Sequence, residues 1–68
     1  MRRVIDESIA ELPYKYREAF LLRYIEELSV KEVARLTGQS EASAKSRILR
    51  ARLALRDKLD KIFGGHHG

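Results

Sequence analysis

Ala44, Ile48, Ala51, Leu55, Leu59 and Ile62 recur at spacings of four, three, four, four and three, the period of one long amphipathic helix. A strand would scatter these residues over both of its faces. An apolar stripe about five turns long must be covered by other elements, and a chain of 68 residues has room for one small domain in which to do it. A domain of that size buries only about 60% of its unfolded surface, too little for both a core and a deep substrate cavity. Binding is therefore expected, not catalysis. Leu, Ile, Val and Phe make up 19 of the 68 residues, enough to separate the chain from disordered compositions. There is no cysteine, hence no disulfide framework and no thiolate metal site, which fits a reducing cytoplasm. No apolar run is long enough to span a membrane, and Met1-Arg2-Arg3 leads into charged sequence that does not resemble a signal peptide. A soluble cytoplasmic protein without cofactor or membrane partner is expected.

The remaining punctuation divides the chain into four helices. Ile5, Ile9 and Leu12 mark one face of a short first helix that the residue before Pro13 should end. Pro13 suits the first turn of a second helix, carried by Tyr16, Phe20, Leu21, Tyr24, Ile25 and Leu28 and running to about Glu27. Ser29-Val30-Lys31-Glu32 matches a capping box, in which serine caps the third helical N–H and glutamate reaches back to the cap. The third helix presents Val30, Val33 and Ala34, with Leu36 a further candidate for that face, and stops at Thr37-Gly38. Ser40 is a candidate N-cap for the fourth helix, which extends to about Phe63. The domain occupies residues 1–63, and Gly64-Gly65 opens a flexible Gly/His tail over 64–68. Adjacent His66 and His67 fall short of the three or four convergent ligands that a metal site needs.

A capped short helix, a glycine turn and a second helix that begins small and polar, then turns basic, form a helix-turn-helix arrangement. The charge is placed accordingly. Residues 1–28 carry a net charge of −1 and residues 29–68 a net charge of +5, and Lys45 to Arg56 holds five basic residues without an acid. At 100° per residue, with Ala44 at zero, the core stripe centres near ~20°, and Ala42, Leu49, Ser46, Leu53 and Arg50 lie at roughly 140° to 240°. Lys45 and Arg47 flank them. Small residues for close approach, hydrogen-bonding groups and long cations are what a major groove requires. Leu49 is placed to meet a thymine methyl or base edge, and Leu53 to face solvent or a protein partner.

Leu12-Pro13, Tyr16-Arg17-Glu18, Phe20-Leu21-Leu22-Arg23-Tyr24, Leu28-Ser29, Glu32-Val33-Ala34, Lys45-Ser46-Arg47-Ile48 and Arg50-Ala51-Arg52 together resemble region 4 of bacterial RNA polymerase sigma factors of the extracytoplasmic-function (ECF) group. The resemblance spans about residues 5–63. It implies an all-α, four-helix domain with a C-terminal helix-turn-helix, of the winged-helix-like DNA-binding superfamily without the wing. It also implies recognition of the promoter −35 element in double-stranded DNA, docking on the RNA polymerase beta-subunit flap, and control by an anti-sigma protein. Carried over by motif, Ser43, Lys45, Ser46, Leu49 and Arg50 would read bases, while Val30, Lys31, Arg47 and Arg52 would hold phosphates. The family's region 2 is not in this sequence, so the resemblance implies a C-terminal domain excised from a longer chain.

The sequence departs from that pattern in the turn and the first helical turn. Glu41, Ala42 and Ala44 stand where an apolar residue, Gly and Val are usual, and Gln39 replaces a usual apolar residue. Glu41 complements the helix dipole but repels a close phosphate, which bears on promoter preference. Two alternatives share many of these features: a LuxR-type response-regulator DNA-binding domain, against which Arg50-Ala51-Arg52 argues, and a sigma-like decoy that binds an anti-sigma protein without reading DNA.

Overall fold

The computed structural model describes residues 2–64. Gly65 to Gly68, and with them the His66-His67 pair and most of the expected flexible tail, lie outside the described residues. The described chain forms four helices in sequence: α1 (Arg2–Ala10), α2 (Tyr14–Tyr24), α3 (Val30–Leu36) and α4 (Glu41–Ile62). The fold is all-α with a helix-turn-helix formed by α3 and α4, as expected.

Each connection has a local cause. Pro13 is the N-cap of α2 with ψ of 145°, one position ahead of the first turn where it was expected, and its carbonyl accepts from the backbone N–H of Arg17 at 2.9 Å. Arg17 also reaches back, its Nη1 donating to the Ala10 carbonyl at 3.0 Å and so satisfying an orphan acceptor at the end of α1. At α3 the capping box is complete: Glu32 N–H donates to Ser29 Oγ at 3.1 Å, and Ser29 N–H to Glu32 Oε1 at 3.2 Å. The helix ends in a Schellman motif, with Gln39 N–H on the Ala34 carbonyl, Gly38 N–H directed to Arg35, and Gly38 at φ +66°. An added Cβ at Gly38 would meet nothing within 4 Å, so glycine is needed for the backbone angle and not for space. Ser40 caps α4 by accepting from Ser43 N–H at 3.1 Å.

The core has two parts joined along α4. Ala19, Val33, Ala34, Ala44 and Ile48 pack together with Leu22, Leu28 and Val30, which fastens α2 and α3 to the first half of α4. Ile9, Leu12, Ala51 and Leu55 pack with Tyr16, Phe20, Leu21 and Ala54, which fastens α1 and α2 to its middle. Ala19, Ala44 and Ala51 are at most 1% exposed, so alanine sets how closely the helices approach at each crossing. Beyond Leu55 the cover thins, and Lys58 Nζ bridges to Glu11 Oε1 at 2.8 Å where α4 passes the α1–α2 connection.

Three expectations are corrected. The second helix ends at Tyr24, not Glu27, because the chain must reverse to return Leu28 and Val30 to the core. Leu21 O accepts from both Ile25 and Glu26, Leu28 N–H bonds to Leu22 O, and Glu27 takes the left-handed conformation at φ 58°. Leu36 is exposed, since it falls off the narrow face that α3 turns to α4. Ile62 is also exposed: its stripe outruns the partner helices available to cover it.

Candidate nucleic-acid interface

The core half of α4 leaves the opposite face free. Ala44, Ile48, Ala51 and Leu55 are buried, whereas Ala42, Lys45, Ser46, Leu49, Arg50 and Leu53 are exposed on the same helix. Leu49 and Leu53 are half exposed, at 50% and 54%, so the outward angle worked from the sequence holds. Lys45, Ser46, Leu49 and Arg50 therefore share one accessible surface over two turns. Val30 is half-buried against the core at the start of α3, so it offers the backbone there and not its side chain, while Lys31 beside it is exposed.

Two candidates are less free than their spacing suggests. Ser43 is half-buried and its hydroxyl donates to Gln39 Oε1 at 2.6 Å. Arg52 is exposed but its guanidinium carbon lies 6.0 Å from the Tyr24 ring centroid, within cation–π range, which draws it to the α2 side of α4. Arg47 is half-buried on the other flank. Lys45, Leu49, Arg52 and Arg56 thus form one stripe along α4 at i, i+4, i+7 and i+11, and Ser43, Ser46, Arg47 and Arg50 form another.

The ion pairs sharpen the electrostatic contrast. Arg2 pairs with Asp6, Arg3 with Glu7, Lys58 with Glu11 and Lys61 with Asp57, all on α1 and its connection or on the last turns of α4. Among the described residues no ion pair engages Lys31, Arg35, Lys45, Arg47, Arg50, Arg52 or Arg56. Those cations are gathered on α3 and the first five turns of α4, and they keep their charge available to a polyanion. Arg35, which the sequence reading left out, lines a cleft with Lys31, Gln39, Ser40 and Glu41 where α3 meets the start of α4. The one signal for it was its place one turn after Lys31. Far from this surface, the Tyr14 phenol donates to Glu18 at 2.9 Å, and that bond, with the carboxylate charge, raises its pKa above the ordinary value.

The sequence that builds α1 to α3 and the first two thirds of α4 matches a known family, sigma-70, region 4, over residues 2–55. The chain belongs to that family. The chain is similar to three sigma factors of Bacillus subtilis (strain 168). RNA polymerase sigma factor SigV is 37% identical over 57 residues, 84% of this chain and 34% of SigV. ECF RNA polymerase sigma factor SigM is 41% identical over 56 residues, 82% of this chain and 34% of SigM. ECF RNA polymerase sigma factor SigW is 39% identical over 59 residues, 87% of this chain and 32% of SigW. This region 4 domain spans about a third of the length of each of these relatives. Among the described residues no cluster of three or more His, Cys, Asp or Glu could hold a metal ion, and no helix is long and apolar enough to cross a membrane.

Proposed function

We propose that this domain binds duplex promoter DNA at the −35 element, laying the first three turns of α4 in the major groove. The observation that carries the reading is the exposed set Lys45, Ser46, Leu49 and Arg50 on a helix whose opposite side is core, with no ion pair engaging its cations among the described residues. Arg50 and Lys45 reach base edges, Ser46 offers a hydroxyl, and Leu49 supplies apolar contact for a thymine methyl. Ser43 stands at the first turn. Lys31 and Arg47 hold phosphates on the two flanks, the backbone at Val30 adds the N-terminal amides of α3, and Arg52 reaches the phosphate backbone two turns beyond Lys45.

Family membership supports two protein partners, the beta-subunit flap of RNA polymerase and an anti-sigma protein, and a cytoplasmic setting for this chain. It also sets aside the LuxR-type alternative. The decoy alternative would leave the cations of α3 and α4 without a role.

Salt dependence tests the DNA reading directly. Neutralising about four phosphates gives a slope of log affinity against log salt near −3.6. Fluorescence anisotropy of a labelled duplex, titrated with the domain at several salt concentrations, measures it. A slope near zero, or no binding at low salt, would refute the reading and leave the decoy alternative standing.

A further inference from the structure

We infer that Ser43 meets DNA as a hydrogen-bond acceptor alone, and that it thereby selects a base carrying a major-groove amino group, adenine or cytosine. The inference rests on the DNA-binding reading above. It follows from a chain of side-chain hydrogen bonds whose direction has a single solution. Thr37 Oγ1 lies 2.6 Å from the Val33 carbonyl oxygen. A carbonyl can only accept, so the one Thr37 hydroxyl proton points at Val33, and its oxygen is left to accept. Gln39 Nε2, 2.6 Å from Thr37 Oγ1, is the donor it accepts from. The reverse orientation of the Gln39 amide would set two acceptors against each other at that distance. Gln39 therefore turns its Oε1 toward Ser43 Oγ, 2.6 Å away, and Ser43 must donate.

The proton that would let Ser43 approach any partner is thus already committed, and only its lone pairs remain. All three bonds are part-buried, which weakens competition from water. The backbone holds the residue from the other side, with Ser43 N–H on Ser40 Oγ at 3.1 Å. Ser43 lies one turn before Ser46 and Arg47 and two turns before Arg50, on the stripe that faces the groove. In that groove adenine and cytosine present amino donors, whereas guanine N7 and O6, thymine O4 and the phosphate oxygens only accept. An acceptor-only hydroxyl gains from the first group and is repelled by the second. Ser43 is therefore neither a phosphate clamp nor an indifferent reader, and Gln39 is the residue that makes it so.

The test is selection from a duplex library randomised across the binding site, run on the wild-type domain and on variants whose helix content circular dichroism shows unchanged. The wild type should favour adenine or cytosine over guanine or thymine on one strand at one position, by about three- to tenfold, the worth of one hydrogen bond. Ser43→Ala should erase that preference. Gln39→Leu, which removes the acceptor, and Thr37→Val, which removes the anchor, should each relax it to within about twofold, and Thr37→Ser should keep it. Gln39→Met serves as a second variant of similar length should leucine disturb the turn. Gln39→Leu combined with Ser43→Ala should match Ser43→Ala alone. Three outcomes would overturn the inference while leaving DNA binding in place: a wild-type preference for guanine or thymine at the position that responds to Ser43→Ala, an unchanged preference in Gln39→Leu, or no position that responds to Ser43→Ala. Failure of the wild type to bind any duplex at low salt would remove the DNA reading and this inference with it.

Discussion

Truncating Leu55 to alanine should come close to unfolding the domain, whereas the same change two residues earlier, at Leu53, should be almost silent. Leu55 is 6% exposed and packs in the cluster that contains Ile9, Leu12 and Ala51, where α1 and α2 meet α4. Removing a buried leucine side chain costs about 2 to 5 kcal/mol, transfer and cavity together. At ~0.05 to 0.15 kcal/mol per residue, a domain of this length holds only about 3 to 10 kcal/mol in total. Leu53 is 54% exposed, so its truncation leaves no closed cavity, and alanine is the better helix former; the change should stay within about 0.5 kcal/mol. Urea denaturation followed by circular dichroism distinguishes the two. With a slope of about 1 kcal/mol/M for so small a domain, Leu55→Ala should lower the midpoint by about 2 M or more, and Leu53→Ala by less than ~0.5 M. Ile48→Val, at about 0.5 to 1.5 kcal/mol, offers a milder probe of the same face if Leu55→Ala does not fold at all. If Leu53→Ala destabilised the domain and Leu55→Ala did not, α4 would be rotated by half a turn. Ser46, Leu49 and Arg50 would then point into the core, and the proposed DNA interface would fall with them.

Arg50→Ala should flatten base preference at one or two positions, a loss of about 1 to 3 kcal/mol on the selected duplex alone, while Lys31→Ala should weaken selected and random duplexes equally; equal losses for Arg50→Ala in an anisotropy competition would reduce Arg50 to a phosphate contact. Glu27 holds a left-handed conformation at φ 58°, so Glu27→Gly should stabilise the domain by about 0.5 kcal/mol after the entropy of the freer unfolded chain is counted, read as a rise of about 2 to 4 °C in Tm. The Tyr14 phenol is held neutral by its bond to Glu18, so it should titrate above 10.0 by ultraviolet absorbance, and Glu18→Gln should move it back toward that value. Because the folded pKa is the higher one, whatever stability the Tyr14–Glu18 contact adds is present at neutral pH and lost as pH rises through the folded value.

Much of this domain is written in short-range pattern. The capping box at Ser29 and Glu32, the Gly38 stop and the Ser40 cap act between residues three to five apart, so they operate before any tertiary contact forms. The same holds for the inner stripe of α4: a period of 3.6 placed Ala44, Ile48, Ala51 and Leu55 on one side and Leu49 and Leu53 on the other, and packing left that division unchanged. Periodicity states which residues share a face, but it cannot state how much partner there is to cover it. Ile62 continues the stripe correctly and still lies in solvent, because α1 has only nine residues and the cover ends before the helix does. Nor could local propensity end α2 at Tyr24, where the reversal depends on a glutamate in a left-handed conformation that only the return of Leu28 to the core repays. The site divides along the same line. Lys45, Ser46, Leu49 and Arg50 needed only the helix to be gathered, whereas the hold of Tyr24 on Arg52 required α2 to pack beside α4. Likewise, the proton of Ser43 was committed only once the turn had brought Thr37, Gln39 and the Val33 carbonyl into line, since hydrogen-bond direction belongs to the assembled geometry and not to any residue's type.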